Sequence, residues 1–302
     1  MKRDYTGLEQ VLSGLMRRYQ ERVPDVQAVI DAMIQEGMIS NANEIENDHI
    51  AFRTMGVPHL GIASLEKIWM HFGYQKRDYY FFPEKKLDAY WYAPPSPEFP
   101  RIFISELRVN ELSAEARQII HSYTDTVTSD PVDNIDLNDP VAVDEFLHSG
   151  LWRTPTWEDF KTLSRESEYA AWVIYNRYYL NHFTVSVHNL PTGYDTMKGF
   201  NAFLLRNGFK LNDSGGVIKT SPDGKLAQSS TVAKMVKAVF TDGQQRDIAG
   251  SYVEFAERKL LDEFAHLPLH QVQREHRREG FEAGNADKIF ESTYSAQTSK
   301  GG

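Results

Sequence analysis

Three short segments of this chain carry residue types able to do chemistry together. In Asp48-His49-Ile50-Ala51-Phe52-Arg53-Thr54, a strand would turn His49, Ala51 and Arg53 to one face and Ile50, Phe52 and Thr54 to the other. A histidine and an arginine separated only by alanine read as a metal ligand beside an anion-binding guanidinium, or as the wetted face of an edge strand. In Asn181-His182-Phe183-Thr184-Val185-Ser186-Val187-His188, strand alternation places His182, Thr184, Ser186 and His188 together, opposite Phe183, Val185 and Val187. In Ser251-Tyr252-Val253-Glu254-Phe255-Ala256-Glu257-Arg258, Glu254 shares its face with Tyr252 and Ala256. A carboxylate there is costly to bury unless it is paired or bound to a metal. Glu106, in Arg101-Ile102-Phe103-Ile104-Ser105-Glu106-Leu107, reads as its counterpart in an earlier unit, a ligand or a supporting partner. Two histidines and one carboxylate from separate strands make a facial metal site with open positions. That set suits non-haem Fe(II) handling O2, and equally Mn, Co or Zn in hydrolytic or isomerase chemistry.

The elements needed to bring these segments together are visible as a repeated order. Residues 47–110 read as a βαβββ unit: a strand from Asp48 to Met55, a helix from Gly61 to Phe72, then strands at Asp78–Phe82, Leu87–Tyr92 and Ile102–Val109. Residues 181–264 repeat that order, with a strand from Asn181, a helix over Thr196–Asn207, and a hairpin around Ser221-Pro222-Asp223-Gly224. A strand through Thr231–Phe240 and a closing strand from Gly250 that runs into a helix complete it. Two helices separated by Pro24 occupy residues 1–46, and residues 111–180 form a helical connector. The connector holds an exposed acidic loop at 125–139 and one apolar helix over Trp157–Tyr179. Residues 265–302 form a polar tail, with Arg274–Glu279 a solvated helix that could instead close over an anionic substrate, and Ser295–Gly302 disordered. The expected architecture is α+β, one compact domain of two βαβββ modules enclosing a barrel-like metal cavity.

Composition removes several function classes. The 302 residues hold 33 Lys and Arg against 42 Asp and Glu, a net charge of −9 that disfavours general nucleic-acid binding. There is no cysteine, which excludes disulfides, zinc–thiolate and iron–sulfur sites and cysteine nucleophiles. No apolar run approaches the ~20 residues of a membrane span, and no apolar h-region follows the N-terminus, which predicts a cytoplasmic protein without membrane partners.

The strings around His49, Glu106, His182 and Glu254, with Gln228-Ser229-Ser230-Thr231-Val232-Ala233 and Gly280-Phe281-Glu282-Ala283, resemble the 2-oxoadipate dioxygenase/decarboxylase (hydroxyglutarate synthase) family of the vicinal oxygen chelate superfamily. The resemblance implies Fe(II) bound by His49, His182 and Glu254, and Arg53 as the substrate-binding arginine. It implies conversion of a 2-oxo acid, 2-oxoadipate, with O2 to 2-hydroxyglutarate and CO2, in lysine catabolism. Gln228, Ser230 and Glu106 are further substrate-binding candidates. Members characterised for 2-oxoadipate are expected to be substantially longer, with added segments near the pocket. The alternatives are a redox-neutral metal-dependent isomerase, lyase or hydrolase of glyoxalase type, or a non-catalytic metabolite-binding protein.

Overall fold

The computed structural model describes residues 4–300. Its centre is one eight-stranded sheet that curls into a half-barrel, giving an α+β fold. The strands are β1 (Asn47–Met55), β2 (Gln75–Phe82), β3 (Leu87–Ala93), β4 (Arg101–Leu107), β5 (His182–Ser186), β6 (Lys219–Thr220), β7 (Leu226–Ser230) and β10 (Tyr252–Arg258). Their order is β2-β3-β4-β1-β5-β10-β7-β6. The two halves mirror one another. Each opening strand pairs in parallel with the closing strand of its own half, β1 with β4 and β5 with β10, and the halves join where β1 meets β5 antiparallel. The remaining strands, β8 (Met235–Val239) and β9 (Gln245–Ala249), form a separate hairpin.

The period of two assigns each strand residue to a face. The convex face carries Ile50, Phe52, Ile102, Ile104, Phe183, Val185, Val253 and Phe255, all buried. It is covered by the two crossover helices, α3 (Ile62–His71) and α8 (Met197–Arg206). Phe52 meets Trp69 of α3 with ring centroids 5.4 Å apart, and Phe255 meets Phe200 of α8 at 5.1 Å. The concave face carries His49, Arg53, His182, Thr184, Gln228, Ser230 and Glu254, a buried polar surface closed by other elements. Around this frame lie α1 (Thr6–Arg22), α2 (Pro24–Gln35), α4 (Ala114–Thr124), α5 (Pro140–Leu147), α6 (Trp157–Glu166), α7 (Glu168–Asn176), α9 (Ala283–Phe290) and a last turn, α10 (Ser295–Thr298). Pro24 begins α2, where its missing N–H leaves no bond unmade.

Four local expectations are corrected. The Trp157–Tyr179 helix is two helices, because Ser167 leaves the helical conformation and its hydroxyl accepts the Ala170 N–H at 3.1 Å, capping α7. Thr231–Phe240 is not one strand; only Met235–Val239 is extended, and it turns back as the β8–β9 hairpin on Trp157 and Phe160. No α-helix directly follows β10; short 3-10 turns carry the chain on to α9. The tail is not disordered at Ser295–Thr298, which is helical with Gln297 buried; Gly301 and Gly302 lie outside the described residues. The segment from Gly280 onward crosses the concave face, with Phe281 and Phe290 packed on Phe103 at 4.9 and 6.4 Å.

Candidate metal centre

His49, His182 and Glu254 converge on the concave face, each buried, with one ligand atom of each within 4.8 Å of the others. Nε2 of His182 lies 3.0 Å from Glu254 Oε2, Nε2 of His49 lies 3.4 Å from Glu254 Oε1, and the two Nε2 atoms are 3.4 Å apart. Register makes this meeting: His182 stands opposite Ala51, one face position from His49, and Glu254 stands opposite Thr184.

The residue before each histidine orients its ring. Asp48 Oδ2 lies 2.9 Å from His49 Nδ1, and Asn181 Oδ1 lies 3.0 Å from His182 Nδ1. Both oxygens accept, so each Nδ1 donates and each Nε2 turns its lone pair to the common centre. Gln228 Nε2 donates to Glu254 Oε1 at 2.6 Å, and Asn285 of α9 donates to Gln228 Oε1 at 3.0 Å. Among the described residues, no lysine or arginine pairs with the Glu254 carboxylate. Burial alone would raise the Glu254 acid; His49 and His182 outweigh it and hold the group well below the ordinary carboxylate range. Burial lowers His182, whereas at His49 the Glu254 and Asp48 charges overcome burial and raise it. A buried anion facing two imidazole lone pairs is a donor set that fits a divalent cation.

Arg53 points from the same face. Its Nη1 donates to Thr293 Oγ1 at 2.8 Å and its Nη2 to the Phe290 carbonyl at 3.0 Å. Its Nε is buried with no partner, and so is the hydroxyl of Tyr252, which stacks on His182 at 4.8 Å. Tyr169 and Trp172 of α7 flank the guanidinium, each 5.2 Å away. A cavity of about 20 Å³ remains over the triad, lined by Phe103, Tyr252, Phe281, Ile289 and Phe290 among others.

The other candidates are placed differently. Gln228 supports Glu254. Ser230 is buried with its Oγ 2.8 Å from Ser292 Oγ, beneath the tail. Glu106 lies on the convex face, and its Oε2 accepts the Ile62 N–H at the start of α3 at 2.7 Å. It is therefore neither a ligand nor a pocket residue. Register also corrects its counterpart. His49 stands opposite Arg101 as His182 stands opposite Tyr252, so Phe103 matches Glu254 and Glu106 matches Glu257. Glu257 repeats the same anchor, accepting the Met197 N–H of α8 at 2.6 Å. His188 leaves the polar stripe, because β5 ends at Ser186 and a 3-10 turn redirects it. Sequence reasoning passed over the tail residues Phe281, Asn285, Phe290 and Thr293. Their one signal is the Gly280–Ala283 string, since no strand or helix period points the tail at the site.

A family model described as 2-oxoadipate dioxygenase/decarboxylase matches residues 11–267. The chain belongs to the 2-oxoadipate dioxygenase/decarboxylase family. A rice (Oryza sativa subsp. japonica) protein of that name, chloroplastic/amyloplastic, is 42% identical over 300 residues, covering 96% of this chain and 79% of the relative. An Arabidopsis thaliana protein of the same name, chloroplastic, is 43% identical over 264 residues, covering 84% and 69%. The crystal structure of rice hydroxyglutarate synthase in complex with 2-oxoadipate superposes with a TM-score of 0.90 at 42% identity, over 98% of this chain and 95% of that one. A glyoxalase-superfamily protein from Ralstonia eutropha shares the fold at 21% identity and a TM-score of 0.69, over 91% and 85%.

The rice structure solved with 2-oxoadipate is matched over 95% of its length, whereas the rice and Arabidopsis proteins of that name are covered to 79% and 69%, so the expectation of longer members holds for these full-length relatives. The cytoplasmic assignment is overturned by relatives named as plastid proteins. An N-terminus without an apolar h-region bears on secretion and does not choose among the other compartments.

Proposed function

We propose that this family member is an Fe(II)-dependent dioxygenase that decarboxylates 2-oxoadipate with O2 to 2-hydroxyglutarate and CO2. His49, His182 and Glu254 would hold the metal, and their buried convergence, with an oxygen acceptor at each histidine Nδ1, is the observation that carries the reading. Bound Fe(II) supplies the redox chemistry with O2 that these side chains lack. Phe103, standing where the second half has Glu254, limits the protein to three donors and leaves positions for substrate and O2.

The rest of the work falls to this chain's own residues. Asp48 and Asn181 hold the imidazoles in one tautomer, and Gln228 fixes the Glu254 carboxylate. Arg53 Nε and the Tyr252 hydroxyl are two buried donors without partners, placed to receive a carboxylate of the 2-oxo acid. An ion pair there is far stronger than in water, because the surrounding rings keep the site dry. Phe103, Phe281, Ile289 and Phe290 exclude solvent. A six-carbon diacid does not fit a cavity with room for about one water, so admission requires the α9 segment to move. The rice relative's crystallisation with 2-oxoadipate supports the substrate class.

The test is anaerobic loading with Fe(II), followed by O2 uptake with 2-oxoadipate and mass analysis of the product. Equal amounts of O2 lost and of CO2 and 2-hydroxyglutarate formed are expected. Iron-loaded protein that consumes no O2 with 2-oxoadipate refutes the reading. His49→Ala, His182→Ala and Glu254→Ala should each lose bound iron and turnover, whereas Arg53→Ala should keep iron and raise KM.

A further inference from the structure

A second cavity, of about 170 Å³, lies behind the triad where the start of β4 and the end of β10 meet the chain between residues 269 and 277. Arg101, Arg258, Arg274 and Arg277 line it, and Glu46 is its one lining carboxylate. Two of the four guanidiniums are fully committed. Arg258 gives Nε and Nη2 to Asp48 at 2.7 and 2.9 Å and Nη1 to the carbonyls of Arg278 and Gly280. Arg101 gives Nη1 to Asp48 at 3.2 Å and its other nitrogens to Glu279.

The other two are only partly committed. Arg274 uses Nη1 on the carbonyls of Pro97 and Phe99 and has Nε 3.9 Å from Glu279 Oε1, while its Nη2 is buried with no hydrogen-bond partner. Arg277 uses Nη1 on the Arg258 carbonyl at 2.8 Å, and among the described residues its Nε and Nη2 have no hydrogen-bond partner. The carboxylates acting on the four guanidiniums are Asp48, Glu279, Glu46 and Glu257; Arg258 and Arg101 take the first two, Glu46 accepts from Ser186 and Asn189, and Glu257 from the Met197 N–H. Burial, and next the repulsion of Arg101, pull the Arg274 guanidinium down to about 10. A buried N–H without an acceptor is costly, so a ligand that accepts from it is favoured.

We propose that this cavity is a binding site for a small dianionic oxyanion of the phosphate type, held by Arg277 and Arg274. Guanidinium forks match tetrahedral oxyanions in a two-point geometry that a single ammonium cannot copy. The site is separate from the metal centre but shares a wall with it. Asp48, which ties Arg101 and Arg258 together, is the acceptor for His49 Nδ1.

The experiment is calorimetric titration of the iron-loaded protein with inorganic phosphate in low-chloride buffer, for the wild type, Arg277→Gln and Arg277→Lys. One saturable site per chain is expected, weakened about tenfold or more in Arg277→Gln and several-fold in Arg277→Lys, which keeps the charge and loses the fork. Circular dichroism checks that each variant is folded, and Arg277→Lys carries the test where Arg277→Gln is not. Absence of saturable binding overturns the proposal. So does phosphate binding that is the same in the variants as in the wild type, because the anion then sits at the iron.

Discussion

Asp48→Asn separates two jobs that one buried carboxylate performs. In the wild type it accepts two bonds from Arg258, one from Arg101 and one from His49. Breaking a buried ion pair by removing one partner costs about 3–5 kcal/mol. Arg101 keeps Glu279, and Arg258 keeps two backbone carbonyls, so the loss belongs near the lower bound, about 3 kcal/mol. The bond to His49 is different. An amide oxygen already does that work at His182, where Asn181 Oδ1 sits 3.0 Å from Nδ1. Iron affinity should therefore fall less than the roughly 10–100-fold typical of deleting a ligand's supporting partner. Urea unfolding of metal-free protein reads the first quantity and competitive Fe(II) titration the second. The pH dependence fixes the cause. Burial opposes ionisation of Asp48, but the Arg258 and Arg101 charges hold its carboxyl well below the usual range. Its contribution is complete above the unfolded value of about 3.9 and is lost as pH falls towards the folded one. The gap between wild type and variant should thus be full at pH 7 and shrink below about pH 4. A gap under 1 kcal/mol at pH 7, or a hundredfold loss of iron with stability intact, refutes this division of labour.

Other outcomes follow from the same geometry. Gly61→Ala should destabilise by about 2–4 kcal/mol in urea unfolding, because Gly61 has φ +85° and a Cβ there would lie 2.1 Å from Glu106 Oε2, displacing the anchor of α3. Glu257→Ala should cost about 1–2 kcal/mol by freeing the start of α8, with iron binding retained. Burial pushes the His188 ring down to about 3. An unfolded histidine protonates near 6.5, so wild-type stability should fall from about pH 6.5 towards 3 by up to about 1.4 kcal/mol per unit. His188→Gln should remove that part of the slope.

Much of the site was legible because strand alternation is local. Whether His49 and Arg53 share a face, or Glu254 and Tyr252, follows from counting by two once the segment is read as a strand, and the hydrophobic residues between them say that it is. Pro24, Thr196 and the Ser221–Gly224 turn likewise act within a few residues of themselves. The helix over Trp157–Tyr179 misled for the same reason in reverse. Its apolar residues stop over the polar run Ser164–Glu168, and the Ser167 cap within that run divides the segment in two.

What the sequence alone determined is the set of chemical groups and the face on which each stands: two histidines, a carboxylate and an arginine on polar strand faces, in two units of like order. What only the tertiary structure decided is which of them meet. Parallel pairing of β1 with β4 and of β5 with β10 matches Phe103, not Glu106, to Glu254, and sends Glu106 and Glu257 to the helix starts. The return of the tail across the concave face decides what closes the pocket and which donors of Arg53 stay free. Register and closure are contacts between residues 40 to 240 positions apart. They are set by the packing of whole faces against one another, so no local period in the chain encodes them.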